Sequence, residues 1–311
     1  MFTRQLGQTD LAVSALCFGG NVFGWTLDER GSFAVLDAYF KGGGNFIDTA
    51  DVYGQGASES ILGRWMRSRK NRDRVVLATK LGSQMGNDPT ARGLSRRYIL
   101  QAVEASLKRL QTDAIDLYQA HRDDQDTPLA ESMEAFDELV QQGKVRYVGA
   151  SNYSAERLRE ALTVSDQQGY VRYSCLQPPY NLANRAQYEG VLESLCLEQG
   201  LGVIPYSSLA SGFLTGKYRP GRALPTSPRA KGVQERYMHE KEFRVLEQLD
   251  RIAQAHGATV AQVALAWLMA RPGITAPIAS ATSVEQVREL LDAATVQLTP
   301  EEMAALNTVS A

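Results

Sequence analysis

"NFIDTADVYG" (residues 45–54) starts as a short apolar strand, meets a carboxylate at Asp48, and enters a small-residue loop that presents Tyr53. The same order recurs along the chain: a brief apolar run, a polar residue where it stops, then an amphipathic helix. Candidate strands are SALCFGG (14–20), NFIDTA (45–50), RVVLATK (74–80), AIDLYQAH (114–121), VRYVGASN (145–152), SCLQPPY (174–180), GVIPYSS (202–208) and TAPIAS (275–280). They are apolar on both faces instead of alternating, as parallel strands covered by helices should be. Between them, SRRYILQAVEASLKRLQT places Ile99, Val103, Leu107 and Leu110 on one helical face. Thr127 before Pro128 reads as a cap for the next helix, which stops at Gly143. Ser154 and Gly169 read as the N-cap and C-cap of the one after it. Eight such units without a linker predict an α/β fold, a closed (β/α)8 barrel filling residues 1–311 as one domain. An open doubly wound sheet would need a glycine-rich turn after its first strand. The nearest approach, GQGASE (54–59), ends in Glu59 and reads as a loop entering a helix. FTRQLGQTDLAVS (2–14) predicts an extra N-terminal hairpin, a plug for the barrel's bottom. Residues 209–240 form an unusually long connection after the seventh strand, a length that usually signals function or disorder.

Composition excludes several classes of function. The chain has 311 residues, 44% hydrophobic and 22% charged, with a net charge of −2. No basic excess suits nucleic acid or an anionic membrane surface. Cys17, Cys175 and Cys196 form no CxxC pair and each lies in an apolar run, as buried thiols in a reducing compartment would. The first residues, MFTRQLGQTDL, lack an apolar signal-peptide core, and no apolar run approaches the ~20 residues of a membrane span. A cytoplasmic protein is therefore expected.

In a barrel of this kind the site is assembled at the C-terminal ends of the strands. The polar residues predicted there are Asp48 and Tyr53, Lys80, His121, Ser151 and Asn152, Gln177, and Tyr206 with Ser207. Singly each has a bland reading: a loop cap, a solvated lysine, a packing aromatic, a satisfied core histidine. Together, four ionisable groups of complementary type converge on one mouth. A free phenol titrates near ~10 and is a poor acid at neutral pH. A lysine ammonium beside it lowers that value, and a carboxylate keeps the lysine charged, while a histidine can orient the substrate oxygen. No metal-ligand set is present, and no activated serine or cysteine. A phenol that protonates a carbonyl oxygen needs hydride delivered to the carbon, which implies a nicotinamide cofactor. Asp51 ends no strand and reads as a loop residue.

At these residues the sequence resembles the aldo-keto reductase superfamily, over essentially its whole length. FIDTADVYGQGASESILG, ATK, LYQAHRDD, VGASNY, LQPPYN and IPYSSLASGFLTGKY match the family's blocks in order and spacing. The resemblance implies a catalytic tetrad of Asp48, Tyr53, Lys80 and His121, the four residues gathered above. It implies that Ser151, Asn152 and Gln177 hold the carboxamide and that Tyr206 stacks on the nicotinamide. Ser207, Leu209 and Ser211 would line the pyrophosphate, with Gly20 and Asn21 closing over the cofactor. Gly20 and Asn21 stand where a threonine or methionine-like residue is common, a difference bearing on the substrate side. In the last unit, PIASATSVEQVREL, many NADPH-using members carry a cation for the 2′-phosphate. This chain has Ser280, Thr282, Gln286 and Leu290 instead, with Glu289 beside them. The potassium-channel β-subunit branch is similarly uncharged there and takes cations from the long loop, where Lys217 and Arg229 correspond. NADP(H) is thus the expected cofactor, with NAD(H) the alternative, and a small carbonyl compound the expected substrate. An NAD(P)+-linked dehydrogenase running in reverse and a redox-sensing regulatory subunit remain open. Trp25 and Tyr180 are either pocket walls or core aromatics, the second being expected.

Overall fold

The computed structural model describes residues 1–311. The chain opens with β1 (Thr3–Gln5) and β2 (Ala12–Ser14), paired antiparallel with Arg4 opposite Val13. The first barrel strand, β3 (Cys17–Gly19), follows, then α1 (Glu29–Lys41), β4 (Phe46–Asp48) and α2 (Ala57–Arg69). Next come β5 (Val76–Leu81), α3 (Arg96–Leu110), β6 (Ile115–Ala120), α4 (Leu129–Gln141), β7 (Val145–Ser151) and α5 (Ala155–Gln168). The last barrel units are β8 (Tyr173–Gln177), α6 (Val191–Glu198), β9 (Gly202–Val203), α7 (Ala230–Tyr237), α8 (Glu240–His256), α9 (Val260–Ala270), β10 (Ile278–Ala279) and α10 (Val284–Asp292). α11 (Pro300–Ser310) closes the chain.

All eight predicted strands are present and parallel, in the order β10-β3-β4-β5-β6-β7-β8-β9. The ends meet: Val203 bridges Ile274, and the Ile278 N–H donates to the Pro205 carbonyl at 2.8 Å. The sheet is therefore a closed (β/α)8 barrel. β9 and β10 are much shorter than the apolar runs around them, because Pro205 and Pro277 have no N–H to give a ladder. Their carbonyls still accept across the seam, Pro277 from Cys17 N–H at 3.0 Å.

The helices form where the sequence caps them. Ser95 and Ser154 accept from the Tyr98 and Arg157 N–H groups, and Gly169 ends α5 in the left-handed region. α4 differs from expectation, since Pro128 is its N-cap and Thr127 instead donates its hydroxyl to Asp124 at 2.7 Å. Most of the core lies between the sheet and the helices. A smaller apolar layer fills the barrel, where Leu6, Leu11 and Val13 pack on Cys17, Phe46, Ala78, Leu117, Cys175 and Ile204. Leu6, Leu11 and Val13 come from the N-terminal hairpin, which is the expected plug. With the bottom closed, only the opposite end of the barrel is open for chemistry. No helix is long and apolar enough to cross a membrane.

Candidate active site

Inward-facing residues of successive strands bring the predicted tetrad together. Asp48 ends β4 and Lys80 lies near the end of β5, both buried. The Lys80 ammonium donates to Asp48 Oδ2 at 2.6 Å and to the Thr49 carbonyl at 2.7 Å. Burial opposes its charge, but Asp48 and Tyr53 outweigh burial and hold its pKa above the ordinary lysine value. The ammonium sits 5.1 Å from the centre of the Tyr53 ring, and the His121 ring meets that ring edge-on at 5.9 Å.

For Tyr53 the net direction is opposite to expectation. Lys80 does pull the phenol down, yet burial is the larger effect and Asp48 adds to it, so its pKa lies above 10.0. His121 is driven the other way, to about 3, by burial, by Lys80 and by Arg122. It is therefore neutral at any working pH. Its Nδ1 is buried without a partner. An unpaired acceptor is tolerated better than an unpaired donor, which favours the tautomer with the proton on Nε2.

Gln119 was missed by sequence reasoning. It is fully buried on β6, two residues before His121, and so shares its inward face. Its side-chain amide donates to Asp48 Oδ1 at 3.2 Å, and Gln177 donates to the same oxygen at 3.0 Å. The strand alternation running 117, 119, 121 was the available signal. Gly149 on the neighbouring strand makes room for it, since a Cβ there would lie 3.2 Å from Gln119 Cγ.

The predicted cofactor residues form a connected rim. Ser151 donates to the Gln177 carbonyl at 2.8 Å, and Asn152, at φ +59°, bonds the His121 carbonyl at 2.9 Å. The Tyr206 hydroxyl donates to Asn152 Oδ1 at 2.8 Å. Beyond it Ser207, Ala210, Ser211 and Gly212 all have left-handed backbones, producing a tight loop with Leu209 at its centre. Across the seam, Ser280 donates to Asn21 Oδ1 at 2.6 Å, joining the Gly20–Val22 turn to the last barrel unit. Thr282 donates its N–H to Gln286 Oε1 at 2.8 Å beside the N-terminus of α10. Lys217 and Arg229 have no carboxylate partner; burial lowers the pKa of each, and Arg229 lowers that of Lys217 further. The Arg229 guanidinium lies over the Trp25 ring at 5.3 Å, and Trp25 is 54% exposed. Trp25 is thus not a core aromatic, whereas Tyr180 is, fully buried and bonded to Glu189 at 2.6 Å.

Asp51 is also not the ordinary loop residue expected. Its carboxylate is buried with neither oxygen hydrogen-bonded. Burial and the nearby Glu59 push it up to about 7. It belongs to a polar cluster outside the barrel wall, where Glu59 accepts from Thr79 and from Arg109, both at 2.6 Å.

A closed barrel whose mouth holds a buried lysine–aspartate pair beneath a tyrosine, flanked by a neutral histidine, defines a class of barrel oxidoreductase. The match to the "Aldo/keto reductase family" model spans residues 15–311, and the chain belongs to that family. It is 38% identical to an uncharacterized oxidoreductase, YrpG, of Bacillus subtilis, covering 98% of this chain and 94% of that one. A probable voltage-gated potassium channel subunit beta of Oryza sativa is 37% identical over 96% of this chain and 93% of its own. The aldo-keto reductase AFTS1 of Alternaria alternata is 35% identical, covering 96% and 89%. The family and these oxidoreductase names support an oxidoreductase activity.

Proposed function

We propose that this protein is an NADPH-dependent carbonyl reductase in which Tyr53 is the general acid. The observation that carries this is the buried Lys80–Asp48 pair, 2.6 Å apart, directly under the Tyr53 ring. Placing a lysine and an aspartate in a dry site is costly unless each is fully bonded. Here Asp48 accepts from Lys80, Gln119 and Gln177, which holds the ammonium charged and aimed at the phenol. A substrate carbonyl at the mouth would accept from the Tyr53 hydroxyl and from His121 Nε2–H. As negative charge develops on that oxygen, Tyr53 gives up its proton and Lys80 stabilises the phenolate left behind. His121, being neutral, positions the oxygen without competing as an acid.

The residues present fit a phosphorylated dinucleotide. Two cations without acid partners, Lys217 and Arg229, and the loop in which Ser207, Ala210, Ser211 and Gly212 are left-handed are what an anion would occupy. Tyr206, Asn152, Ser151 and Gln177 would hold the nicotinamide end, Ser207, Leu209 and Ser211 the pyrophosphate, and Gly20, Asn21, Ser280, Thr282 and Gln286 the opposite rim. When bound, NADPH supplies the hydride.

The test is consumption of NADPH and of NADH, followed at the nicotinamide absorbance, with a panel of aldehydes and ketones. Turnover with NADPH at a lower KM than with NADH is expected. Equal or tighter NADH use would remove the 2′-phosphate role of Lys217 and Arg229. A protein that bound the dinucleotide but reduced nothing would favour the regulatory-subunit reading instead.

A further inference from the structure

The mouth contains a cavity of about 420 Å³ lined by Tyr53, His121, Arg122, Ser151, Asn152, Gln177 and Tyr206. The reductase reading gives work to every one of these except Arg122. We propose that Arg122 selects carbonyl substrates that carry a second, anionic group, a carboxylate or a phosphate. This rests on the reductase reading and specifies its substrate class.

Four observations support it. Arg122 is the single permanently charged side chain on the cavity wall; it is exposed at the rim, with its guanidinium in none of the molecule's ion pairs. The acids that follow it are committed elsewhere: Asp123 takes Arg157 at 2.9 and 3.1 Å, and Asp124 takes the Leu94 N–H and the Thr127 hydroxyl, both at 2.7 Å. The one carboxylate beneath the cavity, Asp48, is already matched by Lys80. The field in the cavity is therefore positive, and it contributes to holding His121 neutral.

Topology separates this cation from those assigned to the cofactor. Arg122 follows β6, which lies four strands from β10 in the closed order, directly across the barrel. Lys217 and Arg229 come from the connection after β9, beside the seam. A dinucleotide whose phosphates lie at the seam leaves Arg122 as the cation that lines the cavity with Tyr53 and His121, while Arg229 acts on Tyr53 from outside the cavity wall. Its planar fork suits a carboxylate or phosphate two-fold.

The experiment compares matched pairs of aldehydes with NADPH saturating. 4-Carboxybenzaldehyde is set against methyl 4-formylbenzoate, and glyceraldehyde 3-phosphate against glyceraldehyde. In the wild type kcat/KM should favour the charged member of at least one pair by about 10- to 100-fold, the range of a charge-assisted contact. The pair that responds identifies the anion. The preference should shrink as NaCl is raised, since the contact is at an open rim. Arg122→Gln should collapse the ratio mainly through KM for the charged member, and Arg122→Lys should restore part of it. A wild-type ratio near or below one for both pairs, or a ratio that survives Arg122→Gln, overturns the proposal. Failure of all four aldehydes with both cofactors would instead overturn the reductase reading itself.

Discussion

At the scale of single residues, Asp51 shows how a side chain's meaning depends on where its strand stops. Asp48 and Asp51 stand three apart in the same loop motif. One lands inside the barrel with three donors; the other lands outside it with none. The unfolded Asp51 carboxyl titrates near ~4, and burial raises the folded one to about 7. Between those values the native state holds more protons than the unfolded one. Its contribution to stability therefore falls as pH rises from about 4 to about 7, then levels off. Asp51→Asn should remove this slope, gaining on the wild type by up to about 4 kcal/mol at pH 8 but little at pH 4.5. Urea midpoints at the two pH values check it, and a pH-independent difference would contradict it. His121, held down to about 3, should put no inflection near pH 6–7 in the kcat/KM profile for reduction; one that vanished in His121→Gln would show the ring titrating.

At the scale of elements, strands and caps were the legible part of the sequence. Apolar runs located all eight strands, and each predicted polar terminus reached the mouth, because parallel strands end on the same side. What the runs could not give was strand length, which Pro205 and Pro277 cut short; the face of β6 that holds Gln119 was legible from its alternation with His121. Thr127 does not cap α4 because the helix begins one residue later than the Thr-Pro pair suggests, with Pro128 as its N-cap and the Pro128 carbonyl taking the first N–H groups. The hairpin plug was readable as a hairpin, but its anchoring was not. Arg4 on β1 donates at 2.8 Å to the carbonyls of both Ile274 and Met269, whose partners lie some 265 residues away in sequence. Arg4→Ala leaves those two acceptors short of donors and should cost about 1–3 kcal/mol. It should leave kcat unchanged, because the hairpin closes the end opposite the site. A changed kcat with unaltered unfolding free energy would contradict that division of labour between the barrel's ends.

At the scale of the whole molecule, the site is assembled from residues far apart in sequence, and only the closed barrel makes Gly20 and Asn21 neighbours of Ser280. Long-range assembly of this kind has no local sequence signal, which is why Gly20, Asn21, Ser280, Thr282 and Gln286 followed from family resemblance, whereas strand ends had already placed Ser151, Asn152, Gln177, Tyr206 and Ser207. Loading NADPH to about 100 times its Kd should stabilise the fold by about 2.7 kcal/mol, read as a rise in Tm. Lys217→Gln with Arg229→Gln should shrink that rise to the level seen with NADH at the same concentration. A rise unaffected by both substitutions would place the 2′-phosphate elsewhere. The most direct test of the catalytic assignment is Tyr53→Phe assayed at saturating NADPH, alongside dinucleotide affinity measured by fluorescence. Loss of the phenol proton should lower kcat by about 10²- to 10⁴-fold while the Kd for NADPH stays within a few-fold of wild type; full turnover in Tyr53→Phe would show that the proton comes from another group.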